Sequence, residues 1–271
     1  MSNFEYTFLV YAEFFVSITL FGLVVNTILL KFSKTLGIRE KDSTMVRWSN
    51  VVKPALGGIT FFMSFLVSTA IFGILFDHNE LFKNGEIVSV IGALCLAFVM
   101  GLADDAYDTK PWLKFFIQIT CGLILIFGSL KIGNENHIIL LFENDFLNYL
   151  ITVLWVVGIM NSINMLDNMD GITTVTSIFI FITALIFLAF QNGFEHYDFM
   201  IILGITAGLL SFLFYNWTPA KIYMGDSGSQ FIGLMLAIVG IKYFWNSAAF
   251  VTQEFISSQQ IIIVLLIYIL P

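Results

Sequence analysis

Runs of roughly 20 apolar residues recur along this chain, and each is long enough to cross the ~30 Å hydrocarbon core of a bilayer as a helix. They lie near Phe8–Leu30, Ala55–Phe76, Ile87–Ala103, Trp112–Leu130, Phe146–Met165, Ile172–Phe190, Phe199–Trp217, Ser227–Trp245 and Ile261–Leu270. The first eight read as complete spans and the last as part of a ninth. Lipid offers nothing to satisfy backbone N–H and C=O groups, so runs of this length are helices rather than open strands. The expected architecture is all-α, a polytopic transmembrane helical bundle forming one integral membrane domain over residues 1–271. Composition agrees: 58% of residues are hydrophobic and only 11% charged, far from the balance of a soluble domain.

The first run is long and carries Glu5 and Glu13 at its start, so it reads as a retained span and not a secretory signal. Cys95 and Cys121 fall inside spans without metal-type spacing and read as small packing residues. A net charge of -7 argues against a nucleic-acid partner. Sidedness says more. Loops after the first, third, fifth and seventh spans hold Lys31, Lys34, Arg39, Lys41, Arg47, Lys53, Lys110, Lys114 and Lys221, whereas the other side holds Lys83, Lys131 and Lys242. The positive-inside rule then places the first set in the cytoplasm and the N-terminus outside.

The outer connections Asp77–Glu86, Lys131–Asp145 and Gln191–Asp198 read as solvated loops with scattered acids, and His78, His137 and His196 in them as solvent-facing. The inner breaks differ. Six carboxylates, Asp104, Asp105, Asp108, Asp167, Asp170 and Asp226, fall in three of them. Adjacent Asp104 and Asp105 end one span, ahead of Pro111 and Lys114. Clustered carboxylates at a membrane surface suit Mg2+, a hard cation often held by one or two carboxylates plus substrate phosphate. One of the pair could instead act as a base. Lys114 is placed to neutralise phosphate.

Asn161, Asn164, Asp167 and Asp170 step every three positions off the end of the fifth span, with Gly171 permitting a reversal into the next. Amides at the edge of an apolar run need partners and are more often functional than decorative. In the third break, Gly225 and Gly228 let backbone approach a ligand. Asp226 or Ser227 there can cap a helix whose N-terminal amides attract phosphate.

Taken together these segments resemble the polyprenyl-phosphate N-acetylhexosamine-1-phosphate transferase family, glycosyltransferase family 4. Four pieces in order carry the resemblance: Arg47 through Lys53, Pro54, Gly57, Gly58 and Ile59; Asp104 and Asp105 with Asp108, Lys114 and Gln118; Asn161, Asn164, Asp167, Asp170 and Gly171; and Gly225, Asp226, Gly228 and Ser229. The Asp108 and Lys114 spacing looks most like the undecaprenyl-phosphate N-acetylglucosamine-1-phosphate transferase branch.

The resemblance implies transfer of a sugar-1-phosphate from a UDP-sugar to a polyprenyl phosphate in the membrane, with release of UMP and the start of a lipid-linked cell-envelope glycan. It implies Mg2+, with Mn2+ as the alternative, held by Asp226 and Asn164. Asp104, Asp105 and Asp170 become the catalytic candidates. Arg47, Lys53, Lys114, Asn161 and Asp167 become the substrate-binding ones. It is also compatible with a homodimer.

The sequence departs from the family in three places. Asn168 stands where many relatives carry glycine. The histidine frequent near Arg39, Glu40 and Lys41 is missing. The chain stops at Pro271, inside an apolar run and ahead of the family's C-terminal histidine motif, so it reads as truncated. The rival reading is a transporter or channel with an acidic cytoplasmic cation site, which would place acids near the midplane and broken spans in matching halves.

Overall fold

A computed structural model describes residues 3–32, 54–75, 83–132, 137–191, 194, 196–246 and 258–269. The helices are α1 (Asn3–Phe32), α2 (Gly57–Leu75), α3 (Gly85–Tyr107), α4 (Pro111–Ile132), α5 (Asp145–Leu166), α6 (Ile172–Phe190), α7 (Tyr197–Asn216), α8 (Gly225–Val239) and α9 (Ser258–Ile269). A π-helical turn, Gly240–Trp245, continues α8. Among the described residues eight segments are long and apolar enough to cross a membrane, the eighth being α8 with its π turn. The all-α, multi-pass expectation therefore holds, and each expected span overlaps one helix.

Helix α8 is the axis of the bundle. Of its most apolar stretch 94% is buried, against 22% for α1, which faces outward with Phe8, Leu20 and Val24 exposed to lipid. Burial on all sides requires close neighbours, and small residues supply the room. Gly58 of α2 and Gly101 of α3 lie directly against the backbone of α8 at Gly228, Ser227 and Asp226, where a methyl on either glycine would overlap main-chain atoms. Around this axis aromatic rings fill the gaps, with Phe62 stacked on Phe98 at 4.0 Å and Phe61 edge-on to Phe212 at 5.1 Å.

The loop before α8 is strapped to the start of α2. Tyr223 N–H donates to Pro54 O (2.9 Å), and the N–H groups of Gly57 and Gly58 donate to Tyr223 O and Met224 O, both at 3.0 Å. Asn216, buried at the end of α7, accepts from Gly171 N and Thr174 Oγ1 at 3.0 Å each and donates to Ile222 O at 3.1 Å. One amide thus joins the α5–α6 turn to the α7–α8 loop, both of which carry residues singled out above.

At the opposite end of the bundle the structure corrects the reading of the outer loops. Lys242, on the π turn, lies 2.9 Å from Glu86 Oε1 and 2.6 Å from Asp198 Oδ2. Tyr243 Oη donates to Asp198, and His137 Nε2 stands 3.8 Å from Glu86 Oε1. His137 is 1% exposed and shares a hydrogen bond with Ser129, so it is no solvated loop residue. Burial, reinforced by the Lys242 ammonium, pushes its pKa down to about 4 and keeps the ring neutral. Glu86 and Asp198 are likewise paired rather than scattered. Of the other two outer histidines, His196 is exposed as expected and His78 lies outside the described residues.

Candidate functional site

Four helix ends meet at the end of the bundle away from Lys242. Asp104 sits in the last turn of α3, Lys114 in the first turn of α4, Asn164 in the last turn of α5 and Asp226 in the first turn of α8. Lys114 Nζ is the hub. It lies 2.7 Å from Asp226 Oδ1, 3.2 Å from Asp104 Oδ2 and 3.3 Å from Asn164 Oδ1. Asn164 Nδ2 donates to Asp226 Oδ1 and to Ser229 Oγ (2.8 Å), while Asp104 Oδ1 accepts from the Thr109 N–H (2.8 Å) and hydroxyl. Stretches far apart along the chain therefore form one cluster, tied together through Lys114 and Asn164.

A second polar layer lies one turn deeper. Gln118 Nε2 donates to Gln230 Oε1 at 2.9 Å and to Asn161 Oδ1 at 3.3 Å, and Asn161 Nδ2 returns a bond to Gln118 Oε1 at 2.8 Å. Gln118 is four residues after Lys114, Asn161 three before Asn164, and Gln230 four after Asp226, so each helix presents the same face twice. Asn161 thus belongs to the deeper layer, not to the hub. Thr109 and Gln230 escaped the reading of the sequence, although the i+4 relation to Asp226 was there to find Gln230.

The paired aspartates divide their labour. Asp104 faces the hub. Asp105 turns to α8, where Oδ1 accepts from the Asp226 N–H (2.8 Å) and Oδ2 from the Ser227 N–H (2.9 Å). Burial, helped by the nearby Asp226 and Asp105 carboxylates, pushes the Asp167 pKa up to about 8. The expectation that the α8 amides form a phosphate cradle is corrected here. The Asp226 and Ser227 N–H groups are already satisfied by the Asp105 carboxylate, and a helix start whose N–H groups are filled offers an anion little.

Removing the Asp105 carboxylate orphans two partly buried amides. Asp105→Ala should destabilise the folded protein by about 2–4 kcal/mol, and Asp105→Asn, which keeps one acceptor oxygen, by roughly half as much. Thermal unfolding of the two variants in one detergent checks the order.

Asp170 is turned to the next loop, its Oδ2 accepting from Ala220 N at 2.9 Å. Asp108 ends α3 in the left-handed region at φ 54° and is exposed. Arg47 and Lys53 lie outside the described residues. Among the described residues no group of three or more His, Cys, Asp or Glu side chains is arranged to hold a metal. The hub instead gathers two carboxylates and one amide oxygen around a positive charge. That all-oxygen donor set matches the chemistry of a hard divalent cation whose remaining ligands are water and phosphate.

Comparison with known proteins bears on the family. The chain is 28% identical over 227 residues to the "Probable undecaprenyl-phosphate N-acetylglucosaminyl 1-phosphate transferase" of Bacillus subtilis (strain 168), covering 83% of this chain and 61% of that protein. It is 29% identical over 227 residues to the "Phospho-N-acetylmuramoyl-pentapeptide-transferase" of Streptococcus thermophilus (strain CNRZ 1066), covering 78% of this chain and 65% of that one. The chain spans about three-fifths of the length of such curated relatives. The model of "Glycosyl transferase family 4" matches residues 87–244, a stretch that holds the hub, the second polar layer and Lys242. The chain belongs to glycosyl transferase family 4.

Proposed function

We propose that this protein transfers N-acetylglucosamine-1-phosphate from its UDP-activated form to undecaprenyl phosphate at the cytoplasmic face of the membrane, as the first step of a lipid-linked cell-envelope glycan. The observation that carries the reading is the convergence of Asp104, Asn164 and Asp226 on Lys114 at one end of a membrane bundle. At such a place a water-soluble nucleotide and a lipid-borne phosphate can meet. The activities named for the relatives support the reaction class. The excess of Lys and Arg in the inner loops supports the cytoplasmic side.

The chemistry is an in-line displacement at the donor's β-phosphorus. An oxygen of the lipid phosphate forms the new P–O bond, the bond from the β-phosphorus to the bridging oxygen breaks, and UMP leaves with that oxygen. Positioning and charge stabilisation suffice for such a transfer. Mg2+, or Mn2+ in its place, is the proposed cofactor; held by Asp226 and Asn164, it would neutralise the diphosphate and its departing oxygen. Lys114 offsets the remaining phosphate charge, and Arg47 and Lys53 are proposed to do the same from the first inner loop. Asp104 takes the proton of a singly ionised lipid phosphate. Asp105 and Asp170 hold the start of α8 and the loop before it in place, and Asn161 ties the deeper polar layer.

The test is a membrane assay with radiolabelled UDP-N-acetylglucosamine and undecaprenyl phosphate, run beside the muramoyl-pentapeptide nucleotide. Label should enter the organic phase from the first donor only when Mg2+ is present. Label that stays in water with both donors overturns the reading, and transfer from the peptide-bearing donor alone overturns the sugar assignment.

A further inference from the structure

The oxygens suited to a divalent cation are already in contact with a cation that belongs to the chain. Asp226 Oδ1, Asp104 Oδ2 and Asn164 Oδ1, from three different helices, all lie within 3.3 Å of Lys114 Nζ. A metal such as Mg2+ draws its oxygens in to about 2.1 Å, which sets its double charge only a few ångströms from the ammonium those oxygens already hold. The two cations repel at that range, so each weakens the other's hold on the same groups. Lysine carries its charge on a flexible four-carbon stem, and 16% of the Lys114 side chain already reaches solvent, so withdrawal toward water is open to it.

We propose that Lys114 is a tethered counter-ion that competes with the divalent cation for Asp226 and Asn164, so that the metal enters together with the nucleotide diphosphate. This rests on the reading of the site as a metal-dependent phosphotransferase centre. Charge explains the order. Two carboxylates and one ammonium leave a formal charge of about -1, a balance that a lone metal must break by ejecting a paired amine into water. A diphosphate arriving with the metal offers the displaced ammonium a new anionic partner. Nothing then has to be left unpaired. The consequence is synergy: nucleotide strengthens metal binding, and by linkage metal strengthens nucleotide binding by the same factor.

Mn2+ binding to the purified protein, followed by its paramagnetic resonance signal without lipid acceptor, tests this with no turnover involved. Lys114→Gln should bind Mn2+ at least about tenfold more tightly than the wild type when nucleotide is absent. Added UDP-N-acetylglucosamine, corrected for its own chelation, should tighten the wild type by a similar factor and change Lys114→Gln little. The nucleotide effect is read on the wild type, so the test survives a variant that fails to fold. Lys114→Gln binding no tighter than wild type, or wild-type affinity unmoved by nucleotide, overturns the proposal. If Asp226→Asn still abolishes Mn2+ binding in that case, the metal site itself stands. Absence of Mn2+ binding by every protein in both conditions overturns the metal reading as well.

Discussion

Asp226→Asn is expected to lower UMP release by about 10²–10³-fold or more while leaving the protein folded. The substitution keeps the shape of the side chain and removes its charge, and that charge is what Lys114 and Asn164 share through a single oxygen. Folding is spared because Asp105 holds the backbone N–H of residue 226, not its side chain. Initial rates with saturating UDP-N-acetylglucosamine, undecaprenyl phosphate and Mg2+, beside an unfolding curve for the same preparation, separate the two effects. Near-normal turnover would remove Asp226 from the reacting site. The contrast with Asp105→Ala is diagnostic, since that variant should lose stability first and activity as a result.

Lys242→Met is expected to do the reverse, costing about 3–5 kcal/mol of stability with little change in the turnover of molecules that remain folded. It strips the shared cation from Glu86 and Asp198 and leaves two carboxylates facing each other in a mostly buried setting. An unfolding temperature lower by about 10 °C in detergent is the corresponding shift for a chain of this size. Sixteen residues of helical rise place Lys242 roughly 24 Å from Asp226, beyond direct influence on the chemistry. Combining Lys242→Met with Glu86→Gln and Asp198→Asn should recover part of the loss, because no unpaired charge then remains. A triple variant no more stable than the single one would show that packing, not charge, dominates at this end.

The spans were readable from the sequence because lipid allows an apolar run few alternatives. Ile172–Phe190 even has the expected bounds in the structure. The meeting of three inner breaks was readable because short loops and alternating spans force their ends to one surface. Which carboxylate of an adjacent pair faces the site was not, since Asp104 and Asp105 are one residue apart and only the position of α8 decides which turns toward it. The filled amides of α8 were hidden for the same reason: a helix start invites phosphate until another helix brings a carboxylate to it. At the outer end, Lys242 sits among apolar residues, while Glu86 and Asp198 look like ordinary acids in first helical turns. Their pairing depends on the π turn, which no periodicity announces.

Helix α8 is fastened at both extremities, by Asp105 where it starts and by Glu86 and Asp198 where its π turn ends, with glycine-to-backbone contacts from Gly58 and Gly101 alongside. A rod clamped in this way cannot work as a piston. Sliding it by even one residue would break charged contacts at both faces and drive its backbone into α2 and α3. Any travel that admits substrate and expels product must therefore fall to side chains and to the loops around a stationary axle.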